Sequence, residues 1–369
     1  MTSTSSKPIR LGIIGLGLIT QSQHMPNLLA SLRDRFTIAH VCDVSAELAA
    51  AIGADTGARH TTDFGAVIAD PDVDAVLICT PGAHSTVARQ ALDAGKHVFA
   101  EKPYSYDPEI AARDAAFAAE NGLVLQVGYM KMYEPAIALA REAFDAIGPL
   151  HLVRMTVLHP SDERQTDDLA IKRFSDVSAD AIEAARAENQ AEVSAAISGQ
   201  AGLDPVLFRN VLHGSVCHQT SVLRALFPDD ATRLVSAHQD APGSARSEPP
   251  KMQILGAIEN GPDWVISWNW LTNFPDYQEW VEIYGDKGSL RIDFPPPYRK
   301  GELARLTITT SAPDNAVAVE TIAPKGPSAF SRELKGFAAA IAGGEPVLSD
   351  GAGAGRDAAL LRDIAALLG

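Results

Sequence analysis

Ile9-Arg10-Leu11-Gly12-Ile13-Ile14-Gly15-Leu16-Gly17-Leu18-Ile19-Thr20 reads as a short apolar strand that runs straight into a glycine turn, with a helix after it. Each glycine has a chemical reason. Gly15 permits the tight turn and Gly17 lets the backbone approach a pyrophosphate, while the next helix offers unpaired N–H groups and the positive end of its dipole. Gly15, Gly17, Leu18 and Ile19 are therefore the candidate contacts to a dinucleotide. Thr20 stands where the third fingerprint position usually carries Gly or Ala, so slightly looser packing of helix on strand is expected. The next apolar run ends in Cys42-Asp43, at the distance where a carboxylate accepts hydrogen bonds from the adenosine ribose. A 2′-phosphate would meet Asp43 as a like charge, and Asp43-Val44-Ser45-Ala46-Glu47 holds no Arg or Lys. This favours NAD(H), although an arginine from elsewhere in the chain would leave NADP(H) open. The plainer reading of Asp43 is a helix cap.

Outward from this motif, apolar runs at Phe36–Cys42, Ala75–Cys79, His97–Ala100 and Val124–Val127 alternate with Ala-rich helical stretches at Gln21–Leu32, Ser45–Ile52, Phe64–Ala69, His84–Ala94 and Pro108–Asn121. Strands fed by helices at this spacing imply βαβ units and a parallel α/β sheet of the Rossmann type, placed in residues 1–147. After Gly148-Pro149 the pattern changes. Runs such as His151–His159, Met252–Glu259, Asp263–Leu271 and Arg305–Thr310, with turns at Asn260-Gly261 and Gly285–Gly288, predict an α+β domain over 148–369 with a mostly antiparallel sheet. Helices over Phe208–Leu226 and Phe330–Ala342 are expected on one face of that sheet, and a closing helix over 354–368. Residues 161–201 read as a polar, helical insertion with Asp180 as N-cap and Gly199 as stop. A solvated surface element, a lid over a substrate pocket and an oligomer contact are its three readings.

Composition narrows the function. With 31 basic and 46 acidic residues the net charge is 31 − 46 = −15, and no basic stripe offsets it locally, so nucleic acid and anionic membrane surfaces are disfavoured partners. Three dispersed cysteines, Cys42, Cys79 and Cys217, form no CxxC pair, which argues for reduced thiols rather than a disulfide framework or a cysteine zinc site. No HExxH or compact His/Asp cluster suggests a metal. The polar start from Met1 to Arg10 lacks the features of a signal peptide and no run is long enough for a membrane span, so a cytoplasmic location is expected.

Three further places carry candidate chemistry. Thr80-Pro81 follows the strand ending in Cys79, at the carboxyl edge of the sheet where such ligands lie; His84 reads either as a helix-start residue or as a cofactor contact. Glu101-Lys102-Pro103 closes the next strand and can aim a lysine at whatever lies against a nicotinamide. Together with Gly95-Lys96-His97-Val98, Gly128-Tyr129-Met130-Lys131, Tyr133-Glu134-Pro135 and Tyr284-Gly285-Asp286-Lys287-Gly288, these residues resemble the glucose–fructose oxidoreductase / inositol 2-dehydrogenase (Gfo/Idh/MocA) family.

The resemblance implies a Rossmann domain joined to a C-terminal domain whose open sheet face often forms a homodimer or homotetramer interface. It also implies reversible oxidation of a sugar or polyol hydroxyl by a nicotinamide. Lys102 would then bind the reacting oxygen, with Glu101 and Lys102 lying against the cofactor. Within His213-Gly214-Ser215-Val216-Cys217-His218-Gln219, His218 matches the family histidine and is the candidate general acid/base. Gly214 replaces the family aspartate, and Met132 stands where an arginine is frequent. On an ideal α-helix Asn210 lies about 80° from His218, near enough to join it, and His213 about 140° away. Tyr129 and Lys131 are candidate contacts to substrate hydroxyls, and a hydrogen-bonded core histidine is the plainer reading of His218. Trp268 and Trp270 share a strand face and are read as sheet packing or an oligomer contact rather than sugar stacking. Two other functions stay open: redox-assisted, NAD-dependent glycoside cleavage without net oxidation, and a non-catalytic NAD(P)-sensing regulator.

Overall fold

The computed structural model describes residues 7–199, 203–240 and 250–368, so the first six residues and the last two of the insertion, 200 and 201, lie outside the description. The described chain divides into two compact units. The first comprises residues up to Met130, Leu169–Ser198 and Phe330–Ala359; the second comprises Lys131–Asp168, Gly199–Ala329 and Leu360 onward.

The first unit is built on six strands: β1 (Ile9–Ile14), β2 (Phe36–Cys42), β3 (Arg59–Thr61), β4 (Ala75–Ile78), β5 (His97–Glu101) and β6 (Leu125–Gly128). They pair in the order β3-β2-β1-β4-β5-β6, every pairing parallel. The central strands bury both faces, as in the AVLI run of β4, because helices cover the sheet on both sides. Local signals start those helices. Ser45 caps Ala46–Thr56 by accepting from Leu48 N at 3.0 Å, and Asp107 caps Pro108–Glu120 by accepting from Glu109 N at 2.9 Å. β3 is too short and too polar to stand out as an apolar run.

The second unit carries β7 (Leu150–His159), β8 (Thr232–Gln239), β9 (Met252–Ile258), β10 (Asp263–Trp270), β11 (Gln278–Gly285), β12 (Gly288–Phe294), β13 (Arg305–Ser311) and β14 (Val317–Ile322). The order is β14-β13-β12-β11-β7-β10-β9-β8, antiparallel except for β7 on β10. Alternation sets the buried face: Ile254, Trp264, Ile266, Trp268, Val281, Ile283, Leu290 and Ile292 point inward, their neighbours outward. β14 is a strand not expected from the sequence; its residues are exposed almost throughout, Val317 and Val319 included.

One expectation is corrected. The helix Ala329–Ile341 does not serve the second sheet; Leu334, Phe337 and Ala338 lie in the same core as Leu11, Leu77 and Phe99 of the Rossmann sheet, and Phe337 meets Phe99 edge-on at 5.7 Å. Its 3.6-residue periodicity fixes that the helix has an apolar face, but not which sheet receives it. The final helix, Gly351–Leu368, begins three residues before the expected 354.

Candidate active site

On the first unit the glycine loop leaves the end of β1. Gly15 has φ +93°, and a Cβ there would sit 2.6 Å from the Cys79 carbonyl carbon, so both backbone conformation and space require glycine. Gly17 is constrained differently. Nothing of the protein lies within 4 Å of where its Cβ would be, so no neighbour in the chain excludes a side chain there. That open space against the backbone fits a pyrophosphate held close to the loop. Thr20 is fully buried and donates from its hydroxyl to Gly15 O at 2.7 Å, and the helix opens as a wider π turn, Thr20–His24. Asp43 accepts from Leu16 N at 2.8 Å through Oδ2 and from Ser45 N at 2.9 Å through Oδ1. Its remaining lone pairs stay available to ribose hydroxyls. The neighbouring Cys42 thiol is pushed up to about 12 by burial, then by Asp43 and Asp63, so it stays protonated at neutral pH.

Lys102 follows β5 directly, before a cis peptide to Pro103. Behind it Glu101 is buried. Its Oε1 lies 2.7 Å from His24 Nε2, and its Oε2 accepts from Lys102 N at 3.3 Å. Burial disfavours the Glu101 carboxylate, but His24, Lys102 and His84 outweigh it and hold the group below its ordinary value. His84 is buried with Nδ1 2.7 Å from Pro103 O and Nε2 2.9 Å from Thr80 O. Both ring nitrogens face backbone carbonyls, a neutral ring donating to one of them, and the ring braces the Thr80-Pro81 loop against the Lys102-Pro103 turn. Burial lowers its pKa despite those carbonyls. Tyr129 is buried just past β6.

Glu333 completes this cluster. Ligand-type atoms of His24, Glu101 and Glu333 lie within 4.8 Å of one another, all buried. Burial, then the Glu101 charge, raises Glu333 well above the usual carboxylate range, so it keeps its proton at neutral pH while Glu101 is ionised. An acid raised by folding binds more protons folded than unfolded, so wild-type stability falls as pH climbs from the ordinary carboxyl range towards the raised value. Glu333→Gln should therefore melt close to wild type near pH 4 and progressively above it towards pH 8. Each tenfold difference in proton affinity between the folded and unfolded chain is worth about 1.4 kcal/mol. Scanning calorimetry across that range checks it; parallel curves for the two proteins would show an ionised Glu333.

On the second unit, Leu207–Val216 is π-helical and Cys217–Leu226 is α-helical, with His218 half-buried in the first turn of the latter. The α-helical angles expected for Asn210 and His213 therefore do not apply, because an i→i+5 winding turns less per residue. Asn210 is exposed and accepts from Arg209 Nε at 2.9 Å; His213 is buried, edge-on to Phe208 at 4.6 Å. At Gly214 a Cβ would meet only Arg209 O, at 3.5 Å, an ordinary contact. Lys131 is buried and its ammonium pairs with Glu279, which also accepts from Tyr277 OH at 2.6 Å and from Gln219 Nε2 at 2.7 Å. Trp268 is buried and donates to Ser215 Oγ at 2.9 Å, whereas Trp270 stacks on His159 at 5.0 Å.

Residues 9–129 match the family model described as "Oxidoreductase family, NAD-binding Rossmann fold" (GFO_IDH_MocA). Over these residues the chain is similar to the Gfo/Idh/MocA oxidoreductases. Inositol 2-dehydrogenase 3 of Saccharopolyspora erythraea is 35% identical over 142 residues, 38% of this chain and 41% of that protein. The dTDP-3,4-didehydro-2,6-dideoxy-alpha-D-glucose 3-reductase of Streptomyces violaceoruber is 27% identical over 95% of this chain and 89% of its own. The first four curated relatives are matched over about half their length, 41% to 50%. Among solved structures, UDP-N-acetylglucosamine 3-dehydrogenase from Acidithiobacillus ferrooxidans superposes with a TM-score of 0.71 at 22% identity, covering 98% of each chain. A 3-ketoreductase from Actinomadura kijaniata, in complex with NADP, gives 0.69 at 19%, covering 96% of each. At these identities the likeness shows the shared fold.

The Rossmann unit carries an addition outside the matched residues. From the insertion, Lys172 exchanges two hydrogen bonds with Gln21, its N donating to Gln21 Oε1 at 2.8 Å and its O accepting from Nε2 at 3.1 Å. Its ammonium pairs with Asp55. Asp176 accepts from Ser45 Oγ at 2.5 Å and Glu47 N at 3.0 Å, and Asn189 accepts from Tyr106 OH at 3.4 Å. A Cβ at Gly82 would overlap the Asn189 amide. The strap thus touches the helices after β1 and β2 and the loops after β4 and β5, along the carboxyl edge where a dinucleotide lies. Its helix, Ala179–Ala196, is capped by Ser178 rather than Asp180, ends before Gly199, and buries only Val193.

Proposed function

We propose that the chain is an NAD(H)-dependent oxidoreductase acting between a hydroxyl and a ketone of a sugar, sugar derivative or cyclic polyol. The observation that carries this reading is Lys102 placed directly after β5, on the same carboxyl edge as the Gly15–Gly17 loop and backed by an ionised Glu101. When bound, the nicotinamide supplies a hydride acceptor or donor. Lys102 holds the reacting oxygen by a hydrogen bond and stabilises the negative charge that grows on it as its proton leaves. His218, which matches the family histidine, takes the hydroxyl proton. Tyr129 contributes a substrate hydroxyl contact, while the role first given to Lys131 competes with its buried pair to Glu279. Asp43 favours NAD(H), against the NADP seen in the ketoreductase from Actinomadura kijaniata. The outward face of the second sheet, where Arg291 lies over Trp280 at 4.8 Å, is the surface for a homodimer or homotetramer. No helix among the described residues is long and apolar enough to cross a membrane.

The test is NADH absorbance with inositols, free sugars and nucleotide-linked sugars, with NAD and NADP in parallel. Reduction with NAD and one substrate class is the expected result. Protein that binds NAD yet turns over nothing in the panel would overturn the dehydrogenase reading, and cleavage of a glycoside without net NADH would replace it by redox-assisted elimination.

A further inference from the structure

The Ala46–Thr56 helix starts three residues beyond Asp43, with Ser45 as its N-cap donating its own N–H to Asp43, so the N–H donors of its first turn lie next to the carboxylate read as the ribose contact. An extra phosphate on the 2′-oxygen would be recognised by such donors, since helix N-termini and hydroxyls are general anion ligands. In this chain the donors are already taken by an anion of its own. Asp176, carried in from more than a hundred residues away, accepts from Ser45 Oγ and from Glu47 N. The same contacts hold its carboxyl below its ordinary value, with Glu47 N the largest contributor and Ser45 next, so the anion is a stable one.

We propose that Asp176 is a specificity-determining residue of the cofactor site: a built-in carboxylate that occupies the anion position of a 2′-phosphate and excludes NADP(H). The inference rests on the dinucleotide reading above and deepens it. Asp43 alone opposes a 2′-phosphate with one charge. Asp176 adds a second carboxylate and removes the compensating donors, and both must be overcome for NADP(H) to enter. Of the two strap cations that precede Asp176, Lys172 and Arg173, Asp55 holds Lys172. Steric and electrostatic exclusion act together here, as expected when a site is built against one competitor. NAD(H), with a hydroxyl in place of the phosphate, leaves the Asp176 contacts undisturbed, so the strap closes over it without rearrangement.

The experiment is calorimetric titration of NAD+ and NADP+ into the full-length protein, into Asp176→Ala and into the near-isosteric Asp176→Asn, each checked for folding by its melting curve. Wild type should prefer NAD+ by about 100-fold or more, and Asp176→Ala should tighten NADP+ by about tenfold while NAD+ moves by less than about threefold. Asp176→Asn should shift in the same direction by less. An unchanged NADP+ affinity in both variants would overturn the inference, as would a wild type that already takes NADP+ as tightly as NAD+. Parallel weakening of both nucleotides would also overturn it, since Asp176 would then only position the strap. Binding of neither nucleotide to wild type would overturn the dinucleotide reading itself, an outcome distinct from the other three.

Discussion

Lys102→Ala should lower kcat by about 10²- to 10⁴-fold with NAD binding changed little, the range for losing a positioned proton-handling group. The size follows from what the site leaves in place. On the proposed reading Asp43 and the Gly15–Gly17 loop carry the dinucleotide without Lys102, so cofactor affinity should survive. The reacting oxygen, by contrast, loses the cation that stabilises its developing charge. Lys102 is half-buried in a turn, and truncating it opens no core cavity, so the melting midpoint should stay near that of wild type. Lys102→Arg should recover little, because a planar guanidinium cannot place a single ammonium donor at the same point. Steady-state rates on the substrate found in the panel, together with NAD titration, decide the matter. Near-normal turnover in Lys102→Ala would remove the residue from the chemistry.

The Rossmann half was legible because its information is local. β1 and β4 announce themselves as apolar runs, Gly15 and Gly17 by their spacing, and Asp43 by its distance from them. Thr20 was legible only as a departure; that its hydroxyl would close on Gly15 O needed the fold. What stayed hidden depends on partners far apart in sequence. Asp176 meets Ser45 across 131 positions, and His24 meets Glu101 across 77. Glu333 did leave a trace, lying among Phe330, Leu334 and Phe337 on the apolar stripe of its helix, where a carboxyl needs a special neighbour. The π winding of Leu207–Val216 left no such trace, and it displaced the angles on which Asn210 was chosen.

Glu279→Ala should cost about 3–5 kcal/mol of stability, the usual penalty for stranding a buried charge. Glu279 stands on the inward face of β11, in line with Val281 and Ile283, where a carboxylate is tolerated only because three groups satisfy it. Lys131 neutralises its charge, and Tyr277 and Gln219 donate to its two oxygens. Burial and the Glu279 charge raise the Tyr277 phenol well above its ordinary value, so Tyr277 remains a neutral donor throughout the accessible pH range. Removing Glu279 leaves the buried Lys131 ammonium without its counter-ion, with the neutral Tyr277 hydroxyl 3.5 Å away and the Tyr277 and Phe294 rings at 5.7 and 5.8 Å. Against a typical total of about 5–15 kcal/mol this is a large fraction, visible in a denaturant titration. Lys131→Met should be damaging for the mirror-image reason. The double variant Lys131→Met/Glu279→Leu should recover most of the loss, because an apolar pair of similar volume replaces two desolvated charges. The same double variant resolves the two roles considered for Lys131. Stability and turnover restored together mean that the pair is architectural, whereas stability restored with turnover lost assigns Lys131 to the substrate. A double variant as unstable as either single one would show that the pair is not what holds this part of the core.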